Sequence, residues 1–224
     1  MIKKAFLALA IAGAMTTAQA GVVLTEGFED VSTLADSGWV LANASAPVGS
    51  LSWYQGNNTD IFAAQSGSAL SYIAASYSSS DPNGGLVNDW LITPEFSTLY
   101  GATVTFWLRG AFDAGFIDQI SYGFSDGSTA LTSFVLGTVI TASTDAWTQV
   151  TATVGASAGG TGRFGINYAG TLTNNIGIDS LVIRVNDAAG DVPEPASLAI
   201  LAAGLVGMGA ARRRKQRASA SLPA

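Results

Sequence analysis

Short runs in which apolar and polar residues alternate dominate the middle of the chain. Residues 102–109 (ATVTFWLR) and 147–154 (WTQVTATV) show this alternation most clearly, and a period of two residues is typical of strands with one buried face. The further candidate strands are 22–28, 39–42, 69–75, 90–93, 119–125, 163–168 and 176–185. No apolar stripe with a helical period persists outside the two ends of the chain. The pattern therefore predicts an all-β fold.

Turn-forming segments separate these runs, among them 81–85 (DPNGG), 125–128 (SDGS) and 159–162 (GGTG). About nine or ten strands at this spacing predict an antiparallel β-sandwich of the jelly-roll type. We place this domain at residues 21–185, which is long enough to bury a core. Residues 186–192 (NDAAGDV) form a polar linker behind it.

The predicted domain carries a strongly negative charge. Of the ten Lys and Arg residues, two lie at 3–4 and five within 212–217, which leaves Arg109, Arg163 and Arg184 in the domain. Fifteen of the sixteen Asp and Glu residues lie between Glu26 and Asp191, a range that includes Asp187 and Asp191 of the linker, so 3 − 15 gives the domain with its linker a charge near −12. This argues against nucleic acid as a partner, because binding to phosphates needs Lys and Arg. It permits metal cations and neutral polymers, and it equally fits an acidic exported protein with neither.

The chain contains no Cys and no His. This composition excludes disulfides, zinc sites of the usual kinds, and Ser-His-Asp or Cys-His nucleophiles. Because the domain also lacks Lys, Schiff-base chemistry and Ser-Lys dyads are excluded. Glycosidases need only two carboxylates, and Asp113 with Asp118, or Asp89 with Glu95, are such pairs. Fifteen acidic residues produce such pairs by chance, so we expect a protein that is not an enzyme.

The N-terminal end has the pattern of a secretory signal peptide at residues 1–20. Lys3 and Lys4 give a charged start, residues 5–15 are apolar, and Ala18-Gln19-Ala20 has the small-x-small form of a cleavage site. We expect cleavage after Ala20 and export of the remaining chain.

The C-terminal end has the pattern of a membrane segment. Residues 196–211 contain no charge, and as a helix at about 1.5 Å per residue they would be roughly 24 Å long, slightly short of a bilayer core of about 30 Å. The cluster of basic residues that follows acts as a stop-transfer signal and favours the cytoplasmic side: Arg212, Arg213, Arg214, Lys215 and Arg217. The alternative is a buried core helix of a soluble domain, which has no need of five cations at its end.

The triplet Pro193-Glu194-Pro195, the apolar segment and the basic end together resemble the PEP-CTERM sorting signal of Gram-negative bacteria, over residues 193–217. The resemblance implies that an exosortase, a membrane-embedded transpeptidase-like enzyme, recognises the triplet and cleaves nearby. It also implies delivery to the cell surface or the extracellular matrix, commonly in species that make exopolysaccharide.

A second resemblance covers residues 22–185. Five pieces carry it in order: 26–30 (EGFED), Trp53, 66–69 (SGSA), 88–94 (NDWLITP) and 178–183 (IDSLVI). The series resembles the choice-of-anchor J domain, which is related to cleaved-adhesin and MAM-like jelly rolls. The resemblance implies an extracellular module with an adhesive or carbohydrate-associated role, and it implies no reaction.

A structural Ca²⁺ is implied by related sugar-binding jelly rolls, which hold calcium with a Glu in a Phe-Glu motif and an Asp in a terminal Ile-Asp motif. Glu29 and Asp179 stand at the matching positions, whereas Ser180 stands where a second Asp is common. Calcium takes about six to eight oxygens, so carbonyls, Asp30 or water must supply the others. The alternative is that Glu29 is a solvated turn residue and Asp179 a capped residue at a strand edge.

Trp53 and Tyr54 are the candidate residues for a glycan platform, because exposed aromatic rings stack on the apolar faces of sugars. Polar residues flank them, namely Ser52 and 55–58 (QGNN). The alternative is that they pack in the core, as we expect for Trp90 and Trp107.

The leading interpretation is thus an exported, surface-sorted and non-catalytic β-sandwich. We expect it to act in adhesion or in association with exopolysaccharide, held by its C-terminal helix in the inner membrane until processing. A carbohydrate-binding module with an aromatic site is the alternative, and a polysaccharide hydrolase is the weaker rival.

Overall fold

The computed structural model describes residues 20–57, 61–81 and 83–187, together with the helical residue Gly204. Residues 20–187 form one compact unit. The predicted signal peptide apart from Ala20, and the predicted membrane segment apart from Gly204, lie outside the described residues. Within the part of the chain that is described, no helix combines the length and the apolar character needed to cross a bilayer.

The strands of the two sheets are interleaved along the chain. The first sheet contains β1 (Gly21–Glu26), β3 (Tyr54–Gln55), β4 (Ile73–Ser76), β7 (Ala102–Gly110), β11 (Thr148–Val154) and β13 (Asn175–Val185). The second contains β2 (Val40–Asn43), β5 (Val87–Ile92), β6 (Phe96–Ser97), β8 (Gln119–Ser125), β9 (Val135–Leu136), β10 (Ile140–Thr141) and β12 (Thr161–Gly170). Three short 3₁₀ helices lie at Val31–Thr33, Tyr77–Ser79 and Leu131–Ser133.

Both sheets are antiparallel. The first has the order β11-β7-β13-β4-β3 with β1 also paired to β13, and the second has the order β10-β8-β12-β5-β2 with β6 on β12 and β9 on β8. The predicted all-β antiparallel sandwich is confirmed.

The main core lies between the two sheets and follows from the alternation of the strands. Along β7, Ala102, Val104, Phe106 and Leu108 are buried, and every residue between them is only half-buried. The Phe106 ring meets Phe164 of β12 with ring centroids 5.8 Å apart. Burial of a Val, Leu or Phe side chain contributes about 1.5–3 kcal/mol relative to an exposed one, so the facing strands of the two sheets stabilise the sandwich.

Two smaller apolar clusters lie outside the main core. Phe62, Tyr72 and Ala74 form one, with Trp147 packed against them. Gly177 of β13 makes room for this cluster, since a Cβ there would lie 2.8 Å from Phe62 and Tyr72 and 2.9 Å from Trp147. The segment between β3 and β4 therefore packs on the face of the first sheet that points away from the main core. The other small cluster contains Trp90, Ile92 and Phe134.

Strand β13 organises the first sheet. Strand β7 pairs along one edge of it, while β4 and β1 share the other edge. β4 pairs with Asn175–Ile178 and β1 with Leu181–Val185. The register shifts between these two stretches, where Ser180 has a φ of 50°. β13 thus runs from the end of the sandwich near Ser76 to the end where Gly21 pairs with Val185.

Candidate functional site

The first and last strands of the domain are neighbours in the first sheet. Glu26 ends β1 opposite Leu181, so the turn that carries Glu29 begins beside the irregularity of β13 at Asp179 and Ser180. The Glu29 side chain is exposed and folds back towards Gly27, where a Cβ would lie 2.5 Å from its Oε1. Glu29 and Asp179 therefore flank the same junction of β1 and β13.

Asp179 is fully buried at this junction. Its Oδ2 accepts the backbone N–H groups of Gln65 and Ser66 at 2.8 and 3.1 Å. Its Oδ1 accepts the Ser180 hydroxyl at 3.2 Å. Burial raises the pKa of the Asp179 carboxyl, and these donors oppose that rise. The carboxylate thus fastens the loop before β4 to the last strand.

Few side-chain oxygen atoms at this junction are available as ligands for calcium. Glu29 contributes one exposed carboxylate, while the three donors already described occupy both oxygens of Asp179. Over the described residues, no three side chains of Asp, Glu, His or Cys form a group that could hold a metal ion. Any calcium would need carbonyl oxygens and water for most of its ligands. Calcium binding by Glu29 and Asp179 stays a prediction.

The predicted exposure of Trp53 is wrong. Its side chain is only 5% exposed and belongs to the main core. Tyr54 in β3 is half-buried, and its hydroxyl donates to Asn175 Oδ1 at 3.2 Å. The polar residues around Trp53 suggested a solvated ring, but the ring is enclosed by the main core. Trp53 therefore offers no open platform for a sugar.

Two further carboxylates are buried within the sandwich. Asp89 accepts the hydroxyls of Ser52 and Ser79 at 2.8 and 2.7 Å. Asp118 accepts the Tyr168 hydroxyl and the backbone N–H of Asn174 on Oδ1, and the N–H of Asn175 on Oδ2. Burial raises the pKa of both carboxyl groups. Both side chains are thus committed to structural hydrogen bonds.

A cavity of about 330 Å³ opens at the end of the sandwich where β13 begins. Three segments of the chain line it: 77–85 without residue 82, 113–116 and 171–174. Tyr77 and Phe116 contribute aromatic rings, and Asp81 and Asp113 contribute carboxylates. Sequence reasoning missed this site, because its residues lie far apart in the chain and the segment 81–85 was interpreted only as a turn.

Backbone hydrogen bonds hold the lining segments together. Tyr77 N–H donates to Asn174 O at 2.9 Å, and Ile117 N–H donates to Leu172 O at 2.7 Å. The buried Asp118 carboxylate also accepts a hydrogen bond from the backbone N–H of Asn174. The hydrogen-bonded pair of Asp118 and Tyr168, which is buried, therefore stabilises the backbone that lines the cavity at Asn174.

The three arginines of the domain lie elsewhere. Arg109 stands over the Phe62 ring at 4.8 Å. Arg163 donates to the carbonyls of Gly127 and Thr93, both at 2.9 Å. Arg184 lies near the far end of β13, opposite Thr103 and Val22. No Lys or Arg of the described residues lines the cavity, so its charged groups are acidic.

The predicted sorting residues lie outside the described residues. These are Pro193, Glu194 and Pro195, and the basic residues Arg212, Arg213, Arg214, Lys215 and Arg217. Their assignment therefore depends on comparison with known proteins.

Residues 191–215 match the family described as the PEP-CTERM protein-sorting motif. This motif implies export and membrane-associated sorting. A comparison of the whole chain with curated protein sequences finds no match.

Among solved structures, the described domain is similar to the cleaved adhesin domains of Lys-gingipain from Porphyromonas gingivalis W83. The K3 domain has a TM-score of 0.58 at 18% identity, with 75% of this chain and 100% of that chain covered. The K1 domain has a TM-score of 0.57 at 18% identity, with 73% and 98% covered. At these identities the likeness establishes the fold alone. The chain thus carries a PEP-CTERM protein-sorting motif behind a β-sandwich with the fold of the cleaved adhesin domains.

Proposed function

We propose that the protein is a substrate of an exosortase-type enzyme, which delivers its β-sandwich to the cell surface or the extracellular matrix. There the domain acts without catalysis, in adhesion or in association with exopolysaccharide. Before processing, the segment 196–211 holds the chain in the inner membrane with the domain on the periplasmic side.

The order of the parts carries this proposal. One compact unit ends at Asp187, and the matched sorting motif begins at residue 191. The Pro-Glu-Pro triplet at 193–195 therefore follows the domain within a few residues of polar sequence. We expect the enzyme to act on the triplet without unfolding the domain, because exposed segments with small and polar residues are preferred sites of cleavage.

The adhesive part of the proposal is supported by the domain itself. Its fold is that of the cleaved adhesin domains. Two of the carboxylates that could have formed glycosidase pairs, Asp89 and Asp118, serve as buried acceptors for hydroxyl and backbone donors. These observations favour a domain that binds other molecules without catalysis.

The test follows the C-terminal end of the chain in the native bacterium. We expect the surface-located protein to lack the basic cluster 212–217 when its C-terminal peptide is identified by mass spectrometry. Replacing Pro193, Glu194 and Pro195 together by Ala should leave the cluster attached and the protein in the inner membrane. The matched control is Asp187→Ala in the linker, which should be processed normally. A surface-located wild-type protein that retains residues 212–217 would contradict the proposal.

A further inference from the structure

We propose that the cavity at the start of β13 binds a neutral saccharide, which gives the adhesive domain proposed above a specific ligand class and a specific site. The proposal depends on that function only for its biological setting. The inference itself stands on the size of the cavity, its two aromatic rings, its free polar groups, its charge and its position.

The cavity has the dimensions of a small-molecule site. Its volume of about 330 Å³ falls near the lower end of the range of about 300–1,000 Å³ that is typical of ligand pockets. A site of this size holds one or two sugar rings. Its mixed polar and apolar lining also differs from the dry lining of a packing defect.

Two aromatic rings stand at this cavity without being used by the core. Tyr77 is 47% exposed and Phe116 is 45% exposed. Their backbones are fixed, since Tyr77 N–H donates to Asn174 O and Phe116 N–H donates to Asp113 O. A pyranose ring presents a face of C–H groups, which packs on a fixed aromatic ring and removes both apolar surfaces from water.

Polar groups without protein partners complete the lining. The Asp113 and Thr171 side chains are exposed, and neither of them nor the Tyr77 hydroxyl makes a hydrogen bond to another described residue. Sugar hydroxyls are both donors and acceptors, so they can satisfy all three groups. A hydroxyl that donates to a carboxylate forms a charge-assisted hydrogen bond, which is stronger than a neutral one.

The charge of the cavity selects among saccharides. Asp81 and Asp113 are its charged residues among those described, and the three arginines of the domain lie elsewhere. An acidic polysaccharide would bring its carboxylates against these two aspartates without a compensating cation. Like charges at close range weaken binding. The geometry therefore favours neutral sugars over uronic acids.

The position of the cavity suits a domain attached by its C-terminal end. Asn174 lines the cavity and β13 begins at the next residue, whereas the chain leaves the sandwich after Val185. The eleven residues of β13 span roughly 33 Å at about 3.3 Å per residue. The ligand site and the point of attachment thus lie at opposite ends of one strand.

The test measures binding of the full-length protein, purified in detergent, to an array of neutral hexose and pentose oligosaccharides and to oligouronides. We expect binding to members of the neutral set and none to the oligouronides. Tyr77→Ala and Phe116→Ala should each weaken that binding about tenfold or more, as truncation of an anchoring aromatic does. The matched control is Tyr100→Ala, because Tyr100 is 48% exposed and lies beside the far end of β13 through its contact with Asn186.

Three results would overturn the proposal. They are the absence of binding to every neutral oligosaccharide by the folded wild-type protein, unchanged binding in both aromatic variants, and binding to oligouronides only. A chelator should leave binding intact. Loss of binding in the chelator, with recovery on addition of Ca²⁺, would also contradict the proposal, because the sugar would then be held through a bound cation. Thermal unfolding of each variant separates a lost site from a lost fold.

The outcome is distinguishable from failure of the proposed function. Tyr77→Ala should still be processed and reach the surface of the native bacterium, because the sorting motif is untouched. Processing without any glycan binding would overturn only the saccharide site, and glycan binding by a chain that is never processed would overturn only the sorting.

Discussion

At the scale of single residues, three of the described aspartates are buried in the sandwich, and they differ in which groups donate hydrogen bonds to them. Asp118 is met by two backbone N–H groups and the Tyr168 hydroxyl. Asp89 is met by two serine hydroxyls, and Asp179 by two backbone N–H groups and one hydroxyl. A hydroxyl can rotate and become an acceptor, but a backbone N–H cannot. The same substitution should therefore have different costs at these positions.

We expect Asp118→Asn to lower the free energy of unfolding by about 1–3 kcal/mol, because its amide N–H₂ would face fixed donors and leave one of them unsatisfied. Asp89→Asn should cost less, since Ser52 or Ser79 can turn and accept from the new amide. Denaturant unfolding at pH 7 measures both. The exposed residue Asp113 provides the control, because Asp113→Asn should change stability little. Equal losses at 89 and 118 would contradict the role assigned to the donors.

Residue environments were the hardest feature to predict from the sequence. The polar neighbours of Trp53 suggested an exposed ring, yet the ring is 5% exposed. Local composition cannot report which face of an extended segment meets the core when the segment has only two residues in a strand, as at Tyr54–Gln55. Tyr77 and Phe116 are exposed rings that were not identified as site residues, because nothing beside them in the chain indicates the cavity that they share.

At the scale of strands, prediction succeeded where alternation is long enough to read. β8 (Gln119–Ser125) has the predicted bounds, and β7 and β11 differ by one residue at one end. β3, β6, β9 and β10 were missed, since each has two residues and a period of two needs at least four residues to be visible. Their positions are set by the long strands against which they pair. The pairing of β1 with β13 ends at Glu26 and Leu181, so Glu29 and Asp179 flank the same junction of the two strands.

Gly177 is the point on β13 where a side chain is least tolerated. We expect Gly177→Ala to displace Phe62, Tyr72 or Trp147 and to destabilise the domain by about 1–3 kcal/mol, as overpacking does. Gly155 follows β11 and has nothing within 4 Å of an added Cβ, so Gly155→Ala serves as the matched control and should be nearly neutral. Thermal unfolding compares the two variants. A stable Gly177→Ala protein with unchanged tryptophan fluorescence would show that the cluster does not pack on this strand.

At the scale of the whole molecule, the buried carboxyl groups should make stability depend on pH in an unusual direction. Burial raises the pKa of Asp89, Asp118 and Asp179 above their ordinary value of 3.8. Between the ordinary pKa of 3.8 and the raised pKa values, the folded state binds more protons than the unfolded state. The free energy of unfolding therefore falls as pH rises through this range. Their contribution is fully present below the ordinary pKa and is lost as pH rises through the raised pKa values.

We therefore expect the melting temperature to be higher in mildly acidic solution than at pH 7, when measured at constant ionic strength. The chain has no His, so no imidazole titration overlaps this window. Asp89→Asn should flatten the slope, whereas the exposed control Asp113→Asn should retain it. A melting temperature that rises steadily from pH 4 to pH 7 would contradict the direction of the three shifts.

The cavity belongs to this largest scale as well, because it exists only when three distant turns meet. The segments 77–85 without residue 82, 113–116 and 171–174 converge because of strand pairing rather than through a motif. Of the three segments, only 81–85 was identified as a turn from the sequence, and their meeting depends on the order of strands in both sheets. A sequence reader could have located the site only after knowing that β13 begins between β4 and β7.

The central place of β13 has a mechanical consequence. A saccharide held near Asn174 and an anchor beyond Val185 would pull on this strand from its two ends. Such a force runs parallel to the strand. It therefore acts in shear on the hydrogen bonds that β13 makes with β7 along one edge and with β4 and β1 along the other. Hydrogen bonds loaded together yield at far greater force than bonds opened one after another. Drag on an attached cell would thus be borne by the most extensively paired strand of the sandwich.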